Sequence, residues 1–396
     1  RLLGAGAIGV AAIWTLLKVI GPIAKGIAGA LAASRTRKAE GGYEALALTE
    51  RDLPIGIVGG TILALMIPIG LLLADFSAGG PVADKLGLSL IASIAYVLVA
   101  GIVIASVTGY MAGLIGASNS PVSGVGILSA LGISLLLLAL FGRGLDADAT
   151  KALVAFALFV TAIIFGVATI SNDNLQDLKT GQLVGATPWR QQVALILGVI
   201  FGAIVIPPIL TLLNQTFGFQ GAPGAGAEAL AAPQAALISA IAQGVLGGSL
   251  DWNLIGLGAG IGAVVVIIDE VLKKTGRGSL PPLAVGMGMY LPMDVTAMVV
   301  LGAVLGHLYN RWAVKQRDPG FAERMGVLTA TGMIVGDSLF NVVYAGIVAW
   351  KDNPDALAVT EGGSLATPLG LALFAGLIAL AYWRMRDAAQ RPVSAA

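Results

Sequence analysis

Apolar residues along this chain fall in long unbroken runs separated by short polar stretches. The runs lie near residues 3–33, 53–74, 88–112, 124–141, 152–170, 193–213, 254–272, 326–349 and 366–384. A helix needs about 20 apolar residues to cross the ~30 Å hydrocarbon core of a bilayer, so each run predicts a membrane span. Two further stretches differ. Residues 234–250 are short and end in Gly247–Gly248, and residues 283–309 are long but interrupted by Gly286, Gly288 and Pro292. The predicted fold is therefore all-α: a polytopic integral membrane helix bundle of about 9–11 transmembrane helices, one or two of them broken or re-entrant. No soluble domain or low-complexity linker interrupts it, so 1–396 reads as a single transmembrane domain.

Charge orients the bundle. With the loops 35–52, 110–123, 171–192, 269–282 and 310–325 and the tail from residue 384 on the cytoplasmic side, those loops hold 16 Lys and Arg against 4 in the opposite loops. This is the bias that the positive-inside rule expects. It holds only when 234–250 and 283–309 each enter and leave on one side, because a single crossing at 283–309 separates two basic loops. Proline in a run of small residues recurs in SNSPVSGVGI (118–127) and SLPPLAVGMG (279–288), a faint echo of an inverted repeat.

Composition agrees and excludes several chemistries. The chain is 57% apolar and 11% charged, where a soluble domain carries about 25% charged residues. With 55 glycines it suits close helix packing, within a chain or in a homo-oligomer. Net charge is +1, so nothing points to nucleic acid. There is no cysteine and one histidine, His307, which excludes thiol chemistry, Cys-based clusters and a multi-His metal site. No metal or cofactor is expected, and Met287, Met289, Met293 and Met298 read as gap fillers. Without a P-loop the chain is no ATP-driven motor, and without a nucleophile–base pair it is no enzyme. It starts at Arg1, and its first apolar run contains Lys18 and Lys25 and is too long for a cleaved leader. The expectation is the C-terminal portion of a longer chain that lacks N-terminal helices.

Polar groups inside or beside these runs are the functional candidates. If the helix before Ser171 continues, Asp173, Gln176, Asp177 and Thr180 fall at i, i+3, i+4 and i+7 on one face. Two carboxylates on one face repel, so one holds a proton near neutral pH. Lys179 and Asn172 lie off that stripe as sources of counter-charge, Gly181 ends the helix, and Gly185 with Pro188 bends the chain back. The bland alternative is a solvated helix end. In GLIGASNSPVSGVGI (113–127), Asn119, Ser120 and Ser123 surround Pro121, where a helix start aims free N–H groups at an anionic ligand or merely begins after a loop. Asp337 lies mid-span with Asn341 and Tyr344 on its face at i+4 and i+7; a carboxylate at that depth is costly unless neutral or paired. Tyr290 and Asp294 flank the break near Pro292. Asp251, Asp269 and Glu270 read as ordinary charges at segment ends.

Four of these stretches together resemble the oligopeptide transporter family, which includes the yellow-stripe-like branch. NDNLQDLKTGQLVGATPWRQQ is similar to its QDLKTG-x-x-x-GA-x-P-x-x-Q signature, and GASNSPVSG to its N-x-P-x-SG loop. LAVGMGMYLPM is similar to VG-x-G-x-YLP, and RMGVLTATGMIVGDSL to RG-x-x-x-A-x-G-x-x-x-GE-x-L, with Asp337 where the family carries glutamate. The resemblance implies a secondary active, proton-coupled importer of small peptides or peptide-like metal chelates. Its partners are the substrate, protons and the lipid bilayer, and its place is the plasma membrane, the inner membrane in a bacterium. On the polar positions read above, Asn119, Ser120, Ser123, Tyr290, Asn341 and Tyr344 are the expected substrate contacts. Asp173, Asp177, Lys179, Asp294 and Asp337 are the expected proton-coupling residues. A passive channel or a sodium-coupled carrier of another small solute is the alternative.

Overall fold

The computed structural model describes residues 2–39, 46–78, 80, 85–116, 120, 122–219, 222, 226, 229–230, 232–248, 251–291, 293–351, 353, 356–358 and 366–390. Twelve α-helices carry these residues: α1 Leu2–Ala39, α2 Ile55–Ser77, α3 Leu86–Ile115, α4 Val122–Phe141, α5 Ala147–Val184, α6 Pro188–Thr216, α7 Pro233–Leu246, α8 Trp252–Thr275, α9 Pro282–Tyr290, α10 Met293–Ala313, α11 Pro319–Lys351 and α12 Ala366–Gln390. Among the described residues there is no strand beyond one isolated bridge, Phe219 with Leu230. Eight of the helices are long and apolar enough to cross a membrane, and they contain all the predicted runs from 53–74 onward. The run at 3–33 lies within α1. Large apolar side chains such as Ile67, Leu71 and Leu197 point outward, and α6 buries none of its residues. Such an outer surface belongs in lipid.

The two unusual stretches behave as their breaks predict. The run at 283–309 becomes two helices, α9 ending at Tyr290 and α10 starting at Met293. At 14 residues, α7 is about 21 Å long and too short to cross. Its C-terminal Gly247 sits beside Thr150 in the first turn of α5, so α7 reaches only part of the depth that α5 spans.

Packing groups the chain into two compact units: Arg1–Gly202 with Ala232–Leu291, and Ala203–Ala231 with Pro292–Ala396. In the first unit α1 lies along α8 and α9. Small residues permit this contact. A Cβ on Gly262 would stand 2.8 Å from the Ala7 Cα, and one on Gly286 would stand 2.7 Å from the Ile8 side chain. Gly258 meets the Leu3 backbone, and Gly6 meets that of Ile255 and Ala259. These positions allow two helix backbones to touch, which is how membrane helices associate when burying apolar area gains nothing over lipid. One apolar cluster (Ala5, Ile8, Ile127, Leu237, Ile241, Val245 and Tyr290) joins α1, α4, α7 and α9. Another, around Leu73, Val97, Ile133, Leu137, Val160 and Ile164, joins α2 to α5.

The α1–α8 seam ends in charge. Lys18 pairs with Glu270, and the Trp14 indole N–H donates to the same carboxylate at 3.4 Å. The neighbouring Asp269 is 2% exposed. It accepts from Lys273 Nζ at 2.6 Å and from the Leu280 amide at 2.9 Å, which fastens the chain after α8 back onto the helix. Read alone, Asp269 and Glu270 are helix-end charges; in the fold they supply partners for Lys18 and for the turn into α9.

In the second unit Tyr309 is the hub. Its hydroxyl donates to the Ala322 carbonyl at 2.7 Å, and its ring meets Trp312 at 5.4 Å and Tyr382 edge-on at 5.6 Å. Gly326 lies against the ring. Tyr309 therefore joins α10, α11 and α12 in one cluster with Ala313, Met385 and Ala389. Tyr309 pairs with Tyr382, and Trp312 with Arg386, so α10 and α12 run in the same direction.

Gly258→Ala and Gly262→Ala should each lower stability in detergent by about 1–3 kcal/mol, because the added methyl forces two backbones apart. Gly256→Ala and Gly260→Ala, where a Cβ meets nothing within 4 Å, should be neutral or stabilising. Thermal unfolding of the four variants checks the seam; equal losses at all four positions contradict it. In a double-mutant cycle, Lys18→Met and Glu270→Gln should be markedly non-additive in thermal midpoint. Simple additivity means that the pair is not coupled.

Candidate functional site

The signature stretch lies on α5, which runs unbroken through it to Val184. At 38 residues the helix is about 57 Å long, well beyond the hydrocarbon core. Its polar last third, 171–184, therefore emerges from the apolar layer. Asp173, Gln176, Asp177 and Thr180 are all exposed on that continuous helix, so the one-face spacing is met. The predicted end at Gly181 is corrected. The helix stops at Gly185, whose φ of 76° is the left-handed conformation that closes a helix. Gly181 is buried inside the last turn because the Gln191 side chain of α6 lies against it where a Cβ would be. The amide oxygens of Gln191 and Gln192 are buried there without a hydrogen-bond partner in the structure. Lys179 bonds Gln182 at 3.0 Å, and no ion pair to Asp173 or Asp177 occurs among the described residues.

What holds this carboxylate face is a ladder of side-chain bonds that sequence reading misses. The Ser171 hydroxyl donates to the Ala105 carbonyl at 2.7 Å, and Thr108 donates to Ala168 at 3.1 Å, joining α3 to α5. Ser120, from the small-residue loop, is buried and donates to the Thr108 carbonyl at 3.1 Å. Gly109 makes room for the ladder, since a Cβ there would stand 2.7 Å from Ser171 Oγ. Asn172, the next residue of the signature, is buried beside it. Two of the four motif stretches are thereby fastened to the same end of α3. The α6 side is tied in as well: the Trp189 amide donates to the Arg51 carbonyl at 3.2 Å.

The other predicted residues are distributed as follows. Asn119 lies outside the described residues. Ser123 stands in the first turn of α4 and Asp294 in that of α10, and the side chains of both lie outside the described set. Tyr290 closes α9, is 4% exposed and packs in the apolar cluster with Ile8 and Ile241. Within the second unit, Asp337, Asn341 and Tyr344 share a face of the continuous α11. Asp337 and Asn341 are exposed, and Tyr344 stacks on Phe217 at 6.0 Å and Phe340 at 6.2 Å. A cavity of about 390 Å³ opens between α10, α11 and α12, and Asn310, Glu323 and Thr329 give it polar walls. None of the predicted residues lines it. The readable signal for the missed charges was Lys18, because a lysine inside an apolar run calls for a partner carboxylate.

The chain matches the family model described as OPT oligopeptide transporter protein over residues 1–348. It is 42% identical over 390 residues to a putative oligopeptide transporter of Haemophilus influenzae, covering 94% of this chain and 59% of that protein. It is 26% identical over 222 residues to a probable metal-nicotianamine transporter of Oryza sativa subsp. japonica, covering 55% of this chain and 30% of the relative. A putative oligopeptide transporter of Saccharomyces cerevisiae is 23% identical over 235 residues, with coverage of 57% and 29%. The chain thus spans less than two thirds of the length of each of these relatives. No solved structure matches it. With the family model matched over most of its length on an all-helical membrane bundle, this chain belongs to the OPT oligopeptide transporter family, a family of membrane transporters and not of enzymes.

Proposed function

We propose that the protein is a secondary active importer that couples inward proton movement to entry of small peptides or peptide-like metal chelates. The observation that carries this reading is the α5 face. Asp173 and Asp177 stand one turn apart on an exposed, continuous helix surface, without an ionic partner among the described residues, while buried Ser and Thr bonds hold the same helix against α3. A carboxylate pair without a fixed counter-ion is free to trade a proton with each transport cycle. Two features of the second unit support the reading. Asp337 on α11 is a further carboxylate and, unlike the α5 pair, lies within an apolar span, and Tyr344 on its face offers an aromatic surface to a peptide group. Relatives whose names specify oligopeptides or metal–nicotianamine support the substrate class.

The Asp177→Asn variant, reconstituted in proteoliposomes, tests the coupling. With an inward proton gradient and no sodium, the parent should accumulate members of a di- to hexapeptide pool or added iron or nickel chelates. The variant should lose gradient-driven accumulation by at least about tenfold, in keeping with loss of an essential proton carrier. It should still exchange internal for external substrate. Accumulation equal to the parent contradicts the role of Asp177. Accumulation by the parent that requires sodium and ignores the proton gradient favours the sodium-coupled alternative.

A further inference from the structure

Along the second unit runs a groove between α10 and α12 of about 580 Å³. Leu301, Leu305 and Leu308 form one wall, and Phe374, Ile378 and Ala379 the other. Tyr309, Trp312, Tyr382 and Arg386 line one end of it. From Leu301 to Trp312 the groove follows eleven steps of helix, about 16 Å, which is half of the ~30 Å hydrocarbon core. Its depth is that of one leaflet.

This end has the chemistry of a membrane interface. Tyr and Trp rings seat at headgroup level, and the exposed Arg386 guanidinium lies 5.3 Å from the Trp312 ring centroid, held by a cation–π contact. Arg311, Lys315, Arg317, Arg324 and Arg384 stand at this same end of the helices, against the three carboxylates Asp318, Glu323 and Asp387. The charge asymmetry of the loops puts this end on the cytoplasmic side.

We infer that this groove is a binding site for an anionic phospholipid of the cytoplasmic leaflet, with one acyl chain between α10 and α12 and the phosphate at Arg386. Charge complementarity selects the anionic class. An arginine held over an aromatic ring at headgroup level presents donors to a phosphate, and the excess of basic residues disfavours a bare zwitterionic surface. The acyl chain requires an apolar trough of leaflet depth, and the row of Leu301, Leu305 and Ile378 provides it. Transport is not assumed, so this inference stands independently of the proposed substrate.

Native mass spectrometry of the whole protein, released from micelles doped with phosphatidylglycerol or phosphatidylcholine, tests it. The parent should retain phosphatidylglycerol in preference. Arg386→Gln should weaken that retention about fivefold, the worth of one basic residue at an anionic surface, while Arg386→Lys should keep most of it. Leu305→Trp, which fills the trough and leaves the arginine, should also reduce retention. Equal retention of the two lipids by the parent overturns the proposal, and so does phosphatidylglycerol retention untouched by both Arg386→Gln and Leu305→Trp. Equivalent thermal stabilisation by glycerol phosphate without acyl chains would show a phosphate site only. A delipidated dimer that Leu305→Trp separates would show that a second copy covers this face. Either result rejects the lipid.

Discussion

Hydrocarbon offers a protein no hydrogen bonds, and that constraint shapes every level of this chain. It forces the backbone into helices, whose polar groups are satisfied internally. It also removes the apolar gain that drives helices together in water, so association rests on close contact and on the few polar bonds available. The α1–α8 seam follows from the first requirement: Gly6, Gly258 and Gly262 let backbone lie on backbone. The second is met by the Ser171–Ala105, Thr108–Ala168 and Ser120–Thr108 bonds around α3, and by the Tyr309–Ala322 bond in the second unit.

The same constraint separates structural charges from candidate functional ones. Asp269 and Glu270 are engaged by Lys273, Leu280, Trp14 and Lys18. They hold one end of the α1–α8 pair and the turn that launches α9. Asp173 and Asp177 have no such engagement among the described ion pairs, although the helix that carries them is firmly anchored. A rigid helix bearing unfixed carboxylates is a suitable element for a group that must gain and lose a proton. The oligopeptide transporter signature falls on this stretch of α5 and the start of α6.

Much of this was legible in the residue order, for identifiable reasons. A span requires a long run with few charges, a requirement strong enough to place the helices from α2 to α12 near their true positions. The shared face of Asp173 and Asp177 followed from helical period alone. The end of α5 did not. Gly181 in a polar sequence looks like a helix stop, but its small size serves the contact with Gln191, four residues before the true left-handed stop at Gly185. Tyr290 next to a helix break resembled a ligand contact, yet a break does not say which way a side chain faces, and this one lies in an apolar cluster. The Lys18–Glu270 pair joins residues 252 positions apart, and no local pattern reports such a distance. Ser171 and Thr108 look like ordinary small polar residues until α3 and α5 are laid together.

The central claim is that substrate entry carries protons through a chain in which Asp173 and Asp177 of α5 stand outside the described ion pairs. The most direct measurement is lumenal pH, read with a trapped dye in sodium-free proteoliposomes at zero membrane potential and no initial pH gradient, after addition of an oligopeptide or metal chelate that the protein transports. The account predicts that an inward substrate gradient drives protons inward and acidifies the lumen against no prior gradient, with a fixed number of protons per substrate. Substrate entry with an unchanged lumenal pH would contradict it.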